Sequence, residues 1–83
     1  MKTFLDFYAD WCPPCKAMGP TIDTLETENK EVSFKKIDIE KEQDLSRKYG
    51  VMSIPTYVIE EDGKELARFT GVTPKDVLQK AIG

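Results

Sequence analysis

The sequence predicts an α/β fold, a four-stranded mixed sheet in the order β-α-β-α-β-β-α flanked by three helices. Two observations carry this expectation. Short apolar, strand-like runs alternate with stretches patterned at helical spacing. The first crossover is long enough to make its strands parallel, whereas the last two strands are joined by a tight turn and must be antiparallel. A length of 83 residues leaves room for one core, so residues 1–83 are expected to form a single domain.

Thr3 to Ala9 reads as a buried strand, with Leu5 and Phe7 on one face, Phe4 and Tyr8 on the other, and Asp6 interrupting the apolar set. A helix then starts at Cys12 or Pro13, where prolines are tolerated because the first-turn amides have no intrahelical partner. Met18, Ile22 and Leu25 form its buried stripe, and Pro20 removes one backbone bond and should kink it. Val32 to Ile39 is the second strand, placing Val32 and Phe34 on one face and Ile37 and Ile39 on the other. A short helix from Glu42 to Tyr49 stops at Gly50. Thr56 to Glu60 is the third strand, Glu61-Asp62-Gly63-Lys64 a hairpin turn, and Glu65 to Thr70 the fourth strand. Gly71 breaks the chain, and Pro74 opens a last helix with Val77, Leu78, Ala81 and Ile82 inward.

The composition is 40% hydrophobic and one third charged, as suits a packed globule with a solvated surface. Positive and negative residues are interleaved to a net charge of −3, and the one adjacent basic pair, Lys35-Lys36, points to opposite faces of a strand. No nucleic-acid partner is expected from such a surface, and no run reaches the length of a membrane span. Asp6 interrupts the apolar run at the N-terminus too early for a secretory signal, so the expected location is cytoplasmic.

The chemistry lies in Trp11-Cys12-Pro13-Pro14-Cys15-Lys16, which holds the only two cysteines of the chain. Two intervening residues at a strand-to-helix junction bring both sulfurs to the first turn of the helix, an arrangement suited to making and breaking a disulfide. So small a loop stabilises the fold by only about 2 kcal/mol in the chain-entropy relation, which argues against a structural staple. The competing assignments are an inert disulfide, two buried thiols, or zinc. Zinc needs four ligands, and two cysteines with no histidine fall short unless two chains share the ion. No metal site is therefore expected. Cys12, at the helix start, should face solvent and the positive end of the helix dipole, which favours its anion. Cys15 lies one turn deeper. Pro13 and Pro14 stiffen the loop but remove two donors from the thiolate. With no histidine, no imidazolium assists the anion. Asp6, in a strand with apolar neighbours on both faces, should have a raised pKa because burial disfavours its charge; the alternative is a carboxylate at a strand edge, bathed in water.

Beyond the cysteine pair, several segments in the right order resemble the thioredoxin family, over roughly Thr3 to Ile82. Leu5-Asp6-Phe7-Tyr8-Ala9-Asp10-Trp11-Cys12 is similar to the family's strand and approach to the active site. Pro20 falls at its helix kink, and Lys36-Ile37-Asp38 resembles the segment with its buried lysine. Tyr49-Gly50-Val51-Met52-Ser53-Ile54-Pro55-Thr56 resembles its cis-proline loop, and Gly71 its glycine after the last strand. Two features depart from the pattern: the extra N-terminal strand and helix of full-length thioredoxins are missing, and Pro13-Pro14 stands where Gly-Pro is usual.

The resemblance implies a minimal thioredoxin fold and a protein-disulfide reductase that needs no cofactor beyond the redox-active Cys12–Cys15 disulfide. Cys12 would be the nucleophile and Cys15 the resolving thiol, with Asp6 relaying a proton to Cys15 and Lys36 as the charge partner of Asp6. A cis Pro55 would face the cysteines. The Ile54 backbone would pair with a substrate strand, with Trp11, Gly71 and Val72 at the rim. Implied partners are proteins carrying disulfides and a thioredoxin reductase or similar electron donor, for a protein expected to be monomeric. Its potential would lie nearer the thioredoxin end of a range of roughly −270 to −120 mV. The alternatives are a glutathione-linked, glutaredoxin-like enzyme and a redox-inactive module that keeps the fold for binding.

Overall fold

The computed structural model describes residues 1–83. Its elements are β1 (Lys2–Tyr8), α1 (Pro13–Glu28), β2 (Ser33–Asp38), α2 (Gln43–Lys48), β3 (Thr56–Glu61), β4 (Lys64–Thr70) and α3 (Lys75–Ile82). The strands form one sheet in the order β2-β1-β3-β4. β1 and β2 are parallel across the α1 crossover, and β3 runs antiparallel to both β1 and β4. The expected architecture is the observed one.

Alternation along β1 divides the interior into two cores. Phe4, on one face, packs with Met18, Ile22 and Leu25 of α1, Tyr57 and Ile59 of β3, and Leu78 and Ile82 of α3. Its ring stacks on Phe34 at 4.8 Å and tilts against Tyr57 at 5.6 Å. Such aromatic pairs add about 0.5–1.5 kcal/mol beyond the area they bury. Leu5, Phe7, Ile37 and Val58 fill the other face, closed by Leu45 and Tyr49 around α2. Asp6 falls on the Phe4 face and therefore beneath α1.

Several boundaries shift by a residue. β1 starts at Lys2 and stops at Tyr8, and β2 is trimmed to Ser33–Asp38. β3 continues to Glu61 and β4 starts at Lys64, because the hairpin turns on two residues only, Asp62 (φ 53) and Gly63 (φ 81). Positive φ at both suits the right-handed twist of the flanking strands. Val77 is a correction: it is exposed rather than inward. The buried stripe of α3 is Leu78 and Ile82 with Ala81 beside it, and a residue one step from Leu78 is turned about 100° away.

Candidate active site

The register places three loops at one end of the sheet. Phe7 of β1 pairs with Thr56 of β3, and Thr56 pairs with Thr70 of β4. The segment leaving β1, the loop entering β3 and the loop leaving β4 therefore meet there. They carry the Cys12–Cys15 pair, the Ile54–Pro55 bond and Gly71-Val72, respectively.

Cys12 is the N-cap of α1, with Pro13 and Pro14 at its first two helical positions. Its own N–H donates to the Ala9 carbonyl (3.2 Å), and its Sγ accepts the Cys15 N–H at 3.2 Å. The two cysteines are joined by a disulfide with their Cα atoms 5.3 Å apart. One expectation is corrected here. Cys12 is buried (3% exposed), whereas Cys15 is the more exposed of the two. In the oxidised form the Cys12 sulfur is bonded to that of Cys15 and accepts the Cys15 N–H.

Asp6 is buried on β1, and no side chain of the protein hydrogen-bonds to it. Its carboxyl opens into a cavity of about 270 Å³ beneath α1, lined by Cys15, Gly19, Ile22, Tyr8 and Lys36 among others. Burial pushes its pKa up to about 6, the Lys36 charge pulls it down less strongly, and the Asp23 charge adds to the rise. On the β3 side Tyr57 is paired with Asp6 in register, and burial followed by the Asp6 charge drives its phenol pKa upward. The expected raised acid is present, and it shares a cavity with Cys15.

Lys36 is not the buried partner the resemblance implied. It lies beside Asp6 across the β1–β2 ladder, but its side chain is half exposed and its ammonium pairs with Asp23 of α1 at 3.2 Å. A lysine stem is long enough to carry its charge past the cavity to the exposed Asp23 carboxylate. Asp23 was not singled out in the sequence. Its only signal there is that it follows Cys15 and Gly19 at the i, i+4, i+8 spacing of one helix row.

The Ile54–Pro55 peptide is cis, and Pro55 is fully buried. The loop is held by Thr56 Oγ1 donating to the Ser53 carbonyl (2.7 Å) and by the Gly71 N–H donating to the Pro55 carbonyl (2.8 Å). Gly71 has φ 87, a left-handed conformation open to glycine at little cost, and its carbonyl accepts from Thr73 Oγ1. Neither the N–H nor the C=O of Ile54 makes an intramolecular backbone hydrogen bond. Trp11 (61%), Met52 (95%) and Val72 (66%) are exposed in these same three loops. Met52 was not among the expected site residues. Its neighbours in the chain are polar or turn-forming, so no periodicity marks it.

The family model for thioredoxin matches residues 1–83. A thioredoxin of Mycoplasmoides gallisepticum is 36% identical over 81 residues, covering 98% of this chain and 81% of the relative. The crystal structure of a thioredoxin from Nicotiana alata superposes with a TM-score of 0.93 at 38% identity, covering 98% of this chain and 70% of that one. A structure concerning the thiol resolving mechanism of yeast mitochondrial 1-Cys peroxiredoxin via glutathione/thioredoxin systems matches with a TM-score of 0.90 at 33% identity, over 98% of this chain and 76% of that one.

Proposed function

The chain belongs to the thioredoxin family of thiol–disulfide oxidoreductases, and on that premise we propose how its own residues divide the work of reducing protein disulfides. The observation that carries this reading is the Cys12–Cys15 disulfide at the start of α1, with Cys15 and the buried Asp6 on the walls of one cavity.

In the reduced protein the Cys12 thiolate attacks one sulfur of a substrate disulfide. A bond forms between Cys12 and that sulfur, and the substrate's other sulfur leaves as a thiolate and takes a proton from water. The helix N-terminus and the Cys15 N–H stabilise the charge on Cys12 before attack. Resolution needs the Cys15 thiol to lose its proton. Asp6 accepts it when ionised, as a group titrating at about 6 can do near neutral pH. The Cys15 thiolate then attacks Cys12, closes the internal disulfide and releases the second substrate sulfur as a thiolate, which takes up the proton that Asp6 gives back. Two electrons have passed to the substrate, and a thioredoxin reductase returns them to the pair. The couple resides in the sulfur–sulfur bond, and the cycle calls for no separate cofactor.

Substrate recognition follows from the three loops. The unpaired backbone of Ile54 offers one donor and one acceptor to an extended segment around the target cysteine. Trp11, Met52 and Val72 offer apolar contact on either side. Peroxiredoxin disulfides are one substrate class this arrangement would suit. No helix of the structure is long and apolar enough to cross a membrane, and we place the protein's work, as a monomeric unit, in the cytoplasm.

Reduction of insulin disulfides, driven by dithiothreitol and separately by a thioredoxin reductase, tests the reading. Turnover with both, and a Cys12–Cys15 potential near the thioredoxin value of roughly −270 mV, supports it. A pair that never cycles overturns it.

A further inference from the structure

Asp6 and Lys36 stand side by side across the β1–β2 ladder, on the sheet face that α1 covers. In that position an ammonium would be expected to fold over the carboxylate. It does not: Lys36 Nζ lies 3.2 Å from Asp23 Oδ1, and the two paired groups are 50% and 67% exposed. Cys15, Gly19 and Asp23 descend one row of α1, so Asp23 sits one turn below Gly19 and next to Ile22, at the edge of the cavity. Gly19 lines the same cavity as Cys15 and Lys36, and a Cβ added there would meet no atom within 4 Å. The two arrangements of Lys36, outward to Asp23 or inward to Asp6, therefore differ by a side-chain rotation.

We infer that Asp23 is a positioning residue: its carboxylate anchors the Lys36 ammonium in solvent and so keeps a full positive charge from pairing with Asp6. The Asp6 carboxyl is then left in the cavity without an ion-pair partner, where it holds its proton more tightly than a paired carboxylate would. This agrees with burial, not Lys36, dominating its titration. The other charged or titratable groups near Asp6 are Lys16 of α1, Asp10 and Tyr8 on the cavity wall, and Tyr57 on β3. None of them pairs with Lys36. The consequence for the rate of disulfide release rests on Asp6 serving as the base for Cys15. The consequence for the titration of Asp6 does not.

The test is a carboxyl-carbon NMR titration of Asp6 in the oxidised protein and in Asp23→Asn, Asp23→Glu, Lys36→Gln and the Asp23→Asn/Lys36→Gln double variant. Asp23 is exposed, so these variants are expected to fold. In Asp23→Asn the freed lysine turns inward, and the Asp6 midpoint falls by about one unit. Asp23→Glu, which keeps the anchor, retains the original midpoint. In the Lys36→Gln background the effect of Asp23→Asn shrinks to the small direct repulsion between two carboxylates. An unchanged midpoint in Asp23→Asn overturns the inference. So does a shift of equal size with Lys36 absent, because Asp23 would then act by its own charge alone. The release rate of a mixed disulfide, measured on the same variants, separates the two readings. A midpoint that moves while the pH profile of release stays fixed leaves Asp23 as the anchor but removes Asp6 as the base.

Discussion

Asn29 and Gln79 exchange two amide hydrogen bonds across the contact between α1 and α3, Asn29 Nδ2 to Gln79 Oε1 at 2.7 Å and Gln79 Nε2 to Asn29 Oδ1 at 3.0 Å. Asn29 is buried and is the C-cap of α1; its Nδ2 also donates to the Leu25 carbonyl. This pair fixes the C-terminal end of the helix whose N-terminal end holds the cysteines. A Lys75–Glu28 ion pair at 2.7 Å lies beside it but is half exposed, and so contributes little.

Asn29→Ala removes both bonds to the half-buried Gln79 amide and one of the two that the Leu25 carbonyl accepts, the Asn29 N–H keeping the other, a loss of about 1–3 kcal/mol. Urea melts should show the lower midpoint with the slope unchanged. Glu28→Ala, which breaks only the exposed ion pair, should change stability by less than about 1 kcal/mol.

Asp6→Asn should make the protein more stable and less active at once. The folded-state pKa of about 6 lies above the ordinary 3.8, so folding stability falls as pH rises through that window and stays low above it. Removing the charge recovers about 3 kcal/mol at pH 8 and almost nothing below pH 4. Thermal melts of both proteins across pH 3 to 8 measure the crossover. Release of the mixed disulfide should slow by roughly 10²-fold near neutral pH, because Cys15 loses its base.

Cys15→Ser should stop the cycle halfway. Cys12 still attacks, no thiol resolves the product, and a covalent adduct between Cys12 and the substrate cysteine accumulates. Intact-mass measurement after mixing with a protein disulfide detects it, and Cys12→Ser should give none.

Gly71→Ala tests how the rim is held. An added Cβ would meet no atom within 4 Å, so the change acts through the backbone alone, at φ 87. Such strain costs about 1–3 kcal/mol. It also disturbs the Gly71 N–H that holds the Pro55 carbonyl. The expected result is a lower Tm and a raised KM for a protein substrate, with reduction of a small aromatic disulfide nearly unaffected.

Period-two alternation made the sheet faces legible: Phe4 and Asp6 fall on one side, Leu5 and Phe7 on the other, as the two cores require. The cysteine pair at the helix start was readable from its own spacing, whereas the buried Asp6 and the cis Ile54–Pro55 peptide were expected through the resemblance of their segments to the thioredoxin family. What stayed hidden depends on rotation and distance. Whether Lys36 reaches Asp6 or Asp23 depends on its side-chain rotamer. Val77 and Leu78 differ by one step on α3, and one step decides which is inside. The Asn29–Gln79 exchange spans 50 positions, beyond the reach of any local pattern.

The first turn of α1 has no amide to spare. The Cys12 N–H is bound to Ala9, Pro13 and Pro14 have none, and the Cys15 N–H is bound to the Cys12 sulfur. A helix start normally grips anions through its free amides. Here the positive end of the dipole remains while the means of holding an oxyanion is gone. The electric field is thereby dedicated to one sulfur atom. Phosphates and carboxylates, abundant in any cell, find at this helix end an attractive field with no donor to bind them, and so compete poorly with a disulfide for the approach to Cys12.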